Sequence, residues 1–273
     1  MTRLARLGPL LVRLALGTAL VAPVLDAPPL RAEDAPAIAA AADLKFALTE
    51  VARRFESETG RRVRLVFGSS GSFTHQVEQG APFELFLSAD ESFVFRLAER
   101  GHTVDRGVLY AIGRVALFAP HGSPLRVDGE LEGLRAAVEE GAVRHFAIAN
   151  PEHAPYGRAA RSVLKHAGLW DRLEPRLVFG ENAAQAMHFA ASGSSQGGIV
   201  PLSLSKAEEV ARLGHFAGIP AAWHADEPLR QRMVLLKRAG ETARRFHAHL
   251  QEASAREILA RYGFVLPDEA DAP

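Results

Sequence analysis

The sequence lacks cysteine altogether and carries no excess of charge of either sign. Without cysteine among the 273 residues, the chain has no disulfides, cysteine nucleophiles or thiolate metal ligands. Lys and Arg number 32, and so do Asp and Glu, which gives a formal net charge of zero. Nucleic-acid and anionic membrane surfaces need a surplus of basic residues. Because apolar residues make up 48%, we expect a folded protein with no nucleic-acid partner.

The first residues have the pattern of an export signal. Arg3 and Arg6 form a basic start, an apolar run follows, and the run ends near small residues in PPLRAEDAPA, where Ala32 is the expected last residue removed. This pattern predicts a secretory signal peptide over residues 1–32. The alternative is a membrane anchor, but Arg13 leaves an apolar run shorter than the roughly 20 residues that a span needs. A lipid anchor needs a cysteine, so we expect a soluble periplasmic protein that is released by cleavage of the signal.

From residue 36 onward, strand and helix patterns alternate. Apolar strand patterns such as VRLVF and ELFLSAD precede helical patterns that end in glycine, such as LKFALTEVARRFESETG. Such repeats predict an α/β fold in which each of two lobes is a mixed, mostly parallel sheet flanked by helices. The long stretch VLYAIGRVALFAP is expected to pass from one sheet to the other. The first lobe is predicted at residues 36–111 plus 233–266, the second at 112–232, and a tail at 267–273.

Four junctions between a strand and a helix carry unusual residues. They are Ala42–Asp43, Gly68–Ser72, Asn150–Gly157 and Gly180–Ala184. Ligands of open α/β sheets bind at the carboxyl ends of the strands. Two junctions belong to each predicted lobe, so we expect them to face one another across a cleft.

The segment Gly68–Ser72 combines glycine and serine at a helix start. The first amides of a helix lack intrahelical acceptors, and the helix dipole makes that end partly positive. Serine hydroxyls such as those of Ser69 and Ser70 add donors, so the segment can bind an anion without a cation. The alternative is an ordinary serine cap. A nucleophile elbow is excluded because Ser72 stands where that motif requires glycine, and a phosphate loop is excluded because its Gly-Lys pair is missing.

The second lobe offers further donors but no metal site. In NPEHAPYG the hydroxyl of Tyr156 is placed to donate into the cleft, or else the ring only packs. The amides of Ala183 and its neighbours open the next helix. The 11 histidines form no cluster, and His153 in the cleft loop is expected to be solvated. We therefore predict neither a bound metal nor a cofactor.

These junctions together resemble the periplasmic molybdate-binding proteins of ABC importers, which have the type II periplasmic-binding fold. The matching stretches span nearly all of residues 36–266 and include FGSSGSFTHQVEQGAPFELFLSAD and IANPEHAPYGRAA. The resemblance implies that tetrahedral oxyanions are bound by hydroxyls and amides. It implies a ligand role for Ser70, for Tyr156 as in the branch with the APYG motif, and for the backbone N–H at Ala183. Pro201 stands where another branch has its ligand tyrosine.

The sequence departs from the family at Ala42–Asp43, where a hydroxyl or amide side chain is common. An ionised Asp43 only accepts hydrogen bonds, and two like charges about 4 Å apart repel by about 4 kcal/mol at an effective dielectric of about 20. We expect Asp43 to cap its own helix, since Asp is a favoured N-cap. Otherwise, the preferred ligand is not a dianion.

The function implied by the resemblance is capture of molybdate or tungstate and its delivery to a membrane permease by a monomeric, non-enzymatic receptor. The candidate ligand residues are Ala42, Asp43, Ser69, Ser70, Tyr156 and Ala183. One alternative is a receptor for another oxyanion or a small organic acid, in which Asp43 recognises a proton or cation that the ligand carries. A remote alternative is a secreted serine hydrolase that uses Ser70 with His75 as its base.

Overall fold

The computed structural model describes residues 35–267. The expected signal peptide and the expected tail beyond Pro267 lie outside the described residues. Within residues 35–267, no helix has the length and apolar character that crossing a membrane requires.

The described elements alternate as the sequence patterns predict. The strands are β1 Ala37–Ala41, β2 Arg64–Gly68, β3 Phe83–Ser88, β4 Val108–Ile112, β5 Val115–Pro120, β6 Phe146–Ala149, β7 Leu177–Gly180, β8 Gly198–Pro201, β9 Gly214–Gly218 and β10 Arg230–Leu235. The helices are α1 Lys45–Thr59, α2 Ser70–Glu78, α3 Glu91–Glu99, α4 Glu132–Glu139, α5 Pro155–His166, α6 Trp170–Leu173, α7 Ala183–Ala191, α8 Leu202–Ser205, α9 Glu208–Ala211, α10 Glu241–His249 and α11 Ala253–Arg261. A single 3-10 turn, Ala42–Leu44, joins β1 to α1.

The strands form two five-stranded sheets, with the orders β2-β1-β3-β10-β4 and β7-β6-β8-β5-β9. In the first sheet, β10 runs antiparallel to both of its neighbours, and in the second sheet β5 does the same. The other four strands of each sheet therefore point in one direction. The two-lobed α/β architecture predicted from the alternating patterns is confirmed, with mixed sheets flanked by helices.

Each antiparallel strand is the first one that the chain enters after crossing between the sheets. The stretch VLYAIGRVALFAP divides at Gly113–Arg114 into β4 of the first sheet and β5 of the second. The chain returns through β10, which begins at Arg230, earlier than the predicted start at residue 233. The earlier start brings Gln231 into the first sheet, where it pairs with Ala111 of β4.

Strand β9 was missed by the sequence patterns. Its sequence, GHFAG, is short, has glycine at both ends and lacks the β-branched residues that favour strands. It forms because it pairs antiparallel with β5 at the edge of the second sheet. Tertiary pairing, and not local preference, determines this element.

The core of the first lobe shows why α1 and the closing helices pack on the sheet. Helix α1 buries Ala47, Leu48, Val51 and Phe55 at helical spacing, and it ends at Gly60, whose positive φ of 68° suits glycine. Phe55 packs edge-on against Phe246 of α10, with ring centroids 5.1 Å apart. Both rings are almost fully buried, so they tie α1 to α10.

Replacing Phe246 with alanine is expected to destabilise the first lobe by about 3–5 kcal/mol, because the change removes buried surface and leaves a cavity. The matched control is Phe179→Ala in β7, where the ring is 46% exposed and the expected change is within about 0.5 kcal/mol. Urea unfolding monitored by circular dichroism measures both. Equal stability of the two variants would contradict this description of the core.

Candidate functional site

The carboxyl ends of strands from both lobes converge on one small cavity. It is lined by Ala41, Ala42, Asp43, Gly68, Ser69, Ser70, Ala89, Ala154, Pro155, Tyr156 and Ala183. The structure thus brings together all six residues that the sequence analysis selected as ligand candidates. The open space is about 10 Å³, room for about one water-sized sphere. A larger ligand requires the two walls to move slightly apart.

Helix α2 directs its N-terminus at the cavity. Its cap, Ser69, accepts a hydrogen bond from the backbone N–H of Ser72 at 3.2 Å. The N–H of Gly71 donates to the carbonyl of His153 at 3.0 Å. The N–H of Ser70, at the first helical position, has no intrahelical acceptor. This amide is therefore available to a ligand.

Helix α7, in the second lobe, also directs its N-terminus at the cavity. Its cap, Asn182, accepts hydrogen bonds from the N–H groups of Ala184 and Gln185. The N–H of Ala183 lies one position earlier and is left without an intrahelical acceptor. Because the dipoles of α2 and α7 both place their partly positive ends at the cavity, a negative group is favoured there.

Ser70 is fully buried and uses its hydroxyl oxygen as an acceptor. The oxygen accepts a hydrogen bond from the N–H of Ala89 at 2.9 Å. Its own O–H has no protein acceptor among residues 35–267, so it can donate into the cavity. The ring of His75, the base that a hydrolase would need, contacts the side chain of Gln79 at 2.8 Å instead. The geometry therefore gives Ser70 the role of a donor and not of an activated nucleophile.

The prediction that Asp43 caps its own helix is wrong. Neither the 3-10 turn nor α1 has a side-chain cap hydrogen bond. The carboxylate is buried, with 1% of the residue exposed, and its Oδ2 accepts hydrogen bonds from the Tyr156 hydroxyl at 3.0 Å and from Gln231 Nε2 at 2.6 Å. Both donors come from other elements, α5 and β10, so tertiary contacts prevail over local capping.

Tyr156 therefore donates across the cavity to a residue of the opposite lobe. Gln231, which orients the same carboxylate, accepts in turn from the hydroxyl of Tyr110 at 2.7 Å. We call Asp43, Tyr156, Gln231 and Tyr110 the carboxylate network. The backbone carbonyl of Asp43 also accepts from Ser203 Oγ at 2.9 Å, which fixes the turn that carries it.

Gly113, at the crossing between β4 and β5, makes room for this network. A Cβ at this position would lie 2.3 Å from the Tyr156 hydroxyl and 2.9 Å from Gln231 Nε2. Sequence reasoning missed Gly113, Gln231 and Tyr110. A signal was present in the glycine that interrupts VLYAIGRVALFAP, but nothing in the sequence connects it to Asp43.

The electrostatics of the cavity come from dipoles and one carboxylate. No Lys or Arg of the described part of the chain lines it. Burial raises the pKa of Asp43 from 3.8 to about 6, and the hydrogen bonds from Gln231 and Tyr156 lower it only in part. Burial, together with the Asp43 carboxylate, raises the pKa of Tyr110 and Tyr156 well above 10, so both phenols stay protonated donors.

Direct contacts close the cavity from both lobes. His153 Nδ1 lies 3.0 Å from Ser69 Oγ, so this histidine bridges the lobes and is not simply solvated as the sequence suggested. Arg158 of α5 pairs with Asp90, the cap of α3, and with Glu227 at 2.8 Å. The lobes are thus held together by polar contacts that surround the cavity.

Known proteins resemble this chain over most of its length. The family model for bacterial extracellular solute-binding proteins matches residues 37–265. The chain is 37% identical to the molybdate-binding protein ModA of Rhodobacter capsulatus, over 83% of this chain and 86% of that one. It is 34% identical to ModA of Azotobacter vinelandii, over 84% and 89%. The solved A. vinelandii periplasmic molybdate-binding protein superimposes with a TM-score of 0.77 at 31% identity, covering 85% of this chain and 99% of that one.

The pKa of Asp43 gives the site a measurable effect on stability. A folded-state pKa above the unfolded value means that the folded protein holds the proton more tightly, so stability falls as pH rises from about 4 to 6. At about 1.4 kcal/mol for each pKa unit, the ionised Asp43 costs about 3 kcal/mol above pH 6. Asp43→Asn is therefore expected to be more stable than the parent by up to about this amount at pH 8. The difference should shrink towards zero near pH 4.

Urea unfolding of ligand-free protein across this pH range measures the difference. Because other titrating groups are common to both proteins, their contributions cancel. A difference that does not change with pH would contradict the raised pKa.

Proposed function

The chain belongs to the family of bacterial extracellular solute-binding proteins, and on this premise we propose that it captures molybdate for an ABC importer. The observation that carries the proposal is the cavity between the lobes, where two helix starts and the Ser70 hydroxyl present hydrogen-bond donors and no Lys or Arg of the described residues lines the wall. The molybdate-binding relatives support the choice of anion, because they match over most of both chains. Tungstate has the same shape and charge, and we propose it as a second ligand.

Binding is by hydrogen bonds from both lobes. Ser70 donates through its hydroxyl and its N–H, and Ser69 positions that helix start. Ala183 donates its N–H from the second lobe. The turn at Ala42–Asp43 and Tyr156 complete the cage. The single hydroxyl proton of Tyr156 is donated to Asp43 Oδ2 at 3.0 Å, so Tyr156 contributes by orienting that carboxyl and not as a donor to the anion. Hydrogen bonds to a charged group contribute about 1.5–3 kcal/mol each, so a few of them in a water-excluded cavity hold a small anion firmly.

Capture is coupled to closure of the lobes. Because the donors are divided between the two sheets, the complete cage exists only when the lobes are together. The polar contacts of His153 with Ser69 and of Arg158 with Asp90 stabilise that closed form. We propose that the closed form docks on the membrane permease as a monomer, after export to the periplasm and removal of residues 1–32.

One observation favours a second candidate, a receptor for another oxyanion. The Asp43 carboxylate lines the cavity, and it opposes a fully deprotonated dianion. An anion that carries its own proton avoids this repulsion by donating to the carboxylate. Phosphate is such an anion near neutral pH, whereas sulfate and molybdate are not. Cavity size is then left to discriminate molybdate from sulfate.

Isothermal titration calorimetry with molybdate, tungstate, sulfate and phosphate tests the assignment. We expect the tightest binding for molybdate or tungstate, and weakening by about 1–3 kcal/mol in Ser70→Ala. The control is Ser205→Ala, since Ser205 is equally buried but donates to Pro201 away from the cavity. Tighter binding of phosphate would favour the second candidate. Absence of heat from all four anions would refute both.

A further inference from the structure

One atom at the centre of the carboxylate network is unsatisfied. Asp43 Oδ2 accepts two hydrogen bonds, from Tyr156 and Gln231. Asp43 Oδ1 is buried and has no hydrogen-bond partner among residues 35–267. A buried polar atom without a partner costs about 1–3 kcal/mol, and more if it is charged. Because Asp43 lines the cavity, a ligand in the cavity is the available partner.

Within residues 35–267, no positive charge contributes to the pKa shift of Asp43. Asp43 faces the neutral phenols of Tyr156 in α5 and Tyr110 in β4. It also faces the neutral amide of Gln231 in β10. Helix α8 contributes the neutral Ser203. On the other elements around the turn, Lys45 of α1, Arg64 of β2 and His188 of α7 are exposed. The guanidinium of Arg114 donates to the Gly113 carbonyl.

An ionised carboxylate in this position works against the proposed ligand. It has no donor to offer, and it repels each unit of like charge about 4 Å away by about 4 kcal/mol at an effective dielectric of about 20. A protonated carboxyl reverses both effects, because it is neutral and its O–H is a donor. The proton cannot be placed on Oδ2 without losing the bonds from Tyr156 or Gln231, whereas Oδ1 is free.

We propose that each molybdate is bound together with one proton from solvent, held on Asp43 Oδ1, which then donates a hydrogen bond to the anion. The bond that forms is Oδ1–H, and the bond that breaks is the one that held this proton in solvent, in hydronium or in a protonated buffer molecule. Oδ2 keeps its hydrogen bonds from Tyr156 and Gln231. The carboxylate network thus orients the carboxyl so that its one unsatisfied oxygen carries the proton, and Asp43 becomes a determinant of which anions are accepted.

The raised pKa of Asp43 agrees with this geometry. In the ligand-free protein the pKa is about 6, so at pH 8 the carboxyl is ionised before binding, and binding must take up a proton. An anion next to Oδ1 raises the pKa further, because like charge disfavours ionisation. Uptake of one proton makes the affinity for molybdate fall about tenfold per pH unit above the pKa of the free protein.

The test is calorimetry of molybdate binding at pH 6 to 9, in pairs of buffers with different ionisation enthalpies. This inference rests on the proposed function. For the parent protein we expect uptake of about one proton at pH 8 and a dissociation constant that rises about tenfold per pH unit. For Asp43→Asn, whose side-chain amide is neutral and can both accept and donate, we expect no proton uptake and an affinity independent of pH. The control Asp171→Asn, an exposed residue, should behave as the parent.

The possible results separate this inference from the proposed function. Molybdate binding by the parent without proton uptake, or uptake that persists unchanged in Asp43→Asn, overturns the assignment of the proton to Asp43 while leaving molybdate capture intact. Failure of both the parent and Asp43→Asn to bind any oxyanion at any pH overturns both.

Discussion

The hydrogen bond from Tyr156 to Asp43 joins the two lobes at the cavity, and the surrounding structure is arranged to permit it. The turn after β1 brings Asp43 to the carboxyl edge of the first sheet, and Pro155 starts α5 so that Tyr156 extends from the second lobe. Gly113 leaves space for the hydroxyl. The cavity therefore combines hydrogen-bond donors that suit an anion with the buried Asp43 carboxylate. That carboxylate repels an anion unless the carboxylate is protonated.

The remaining donors come from backbone geometry. The helix starts at Ser70 and Ala183 present N–H groups that their own caps leave free, and they belong to different sheets. Such donors are fixed within each lobe by the fold, so binding a ligand changes only the distance between the lobes and not the arrangement of donors inside either one. Because no Lys or Arg among the residues that the structure describes lines this cage, no net positive charge attracts other anions. Selection then depends on the shape of the anion and on whether the anion or Asp43 carries a proton.

Much of this could be predicted from the sequence, because the signals are local. Glycine-terminated helices and apolar strands gave the alternating elements, and the serine-rich start of α2 and the APYG segment gave candidate donors that the structure does bring together. Asp43 was misjudged because its capping preference is local, whereas its partners lie far along the chain, Tyr156 in α5 and Gln231 in β10. Strand β9 was missed for the same reason, since its pairing with β5 determines it. Long-range contacts of this kind leave no pattern in a single sequence.

A crystal structure of the protein soaked or grown with molybdate or tungstate, with the metal located by its anomalous scattering, tests the binding site most directly. We expect a single strong peak in the cavity, within hydrogen-bonding reach of the Ser70 hydroxyl, the Ala183 N–H and Asp43 Oδ1 through the anion's oxygens. A peak only at a surface site, such as the groove beside Arg114 and Arg230, with the cavity unaltered, would contradict the account.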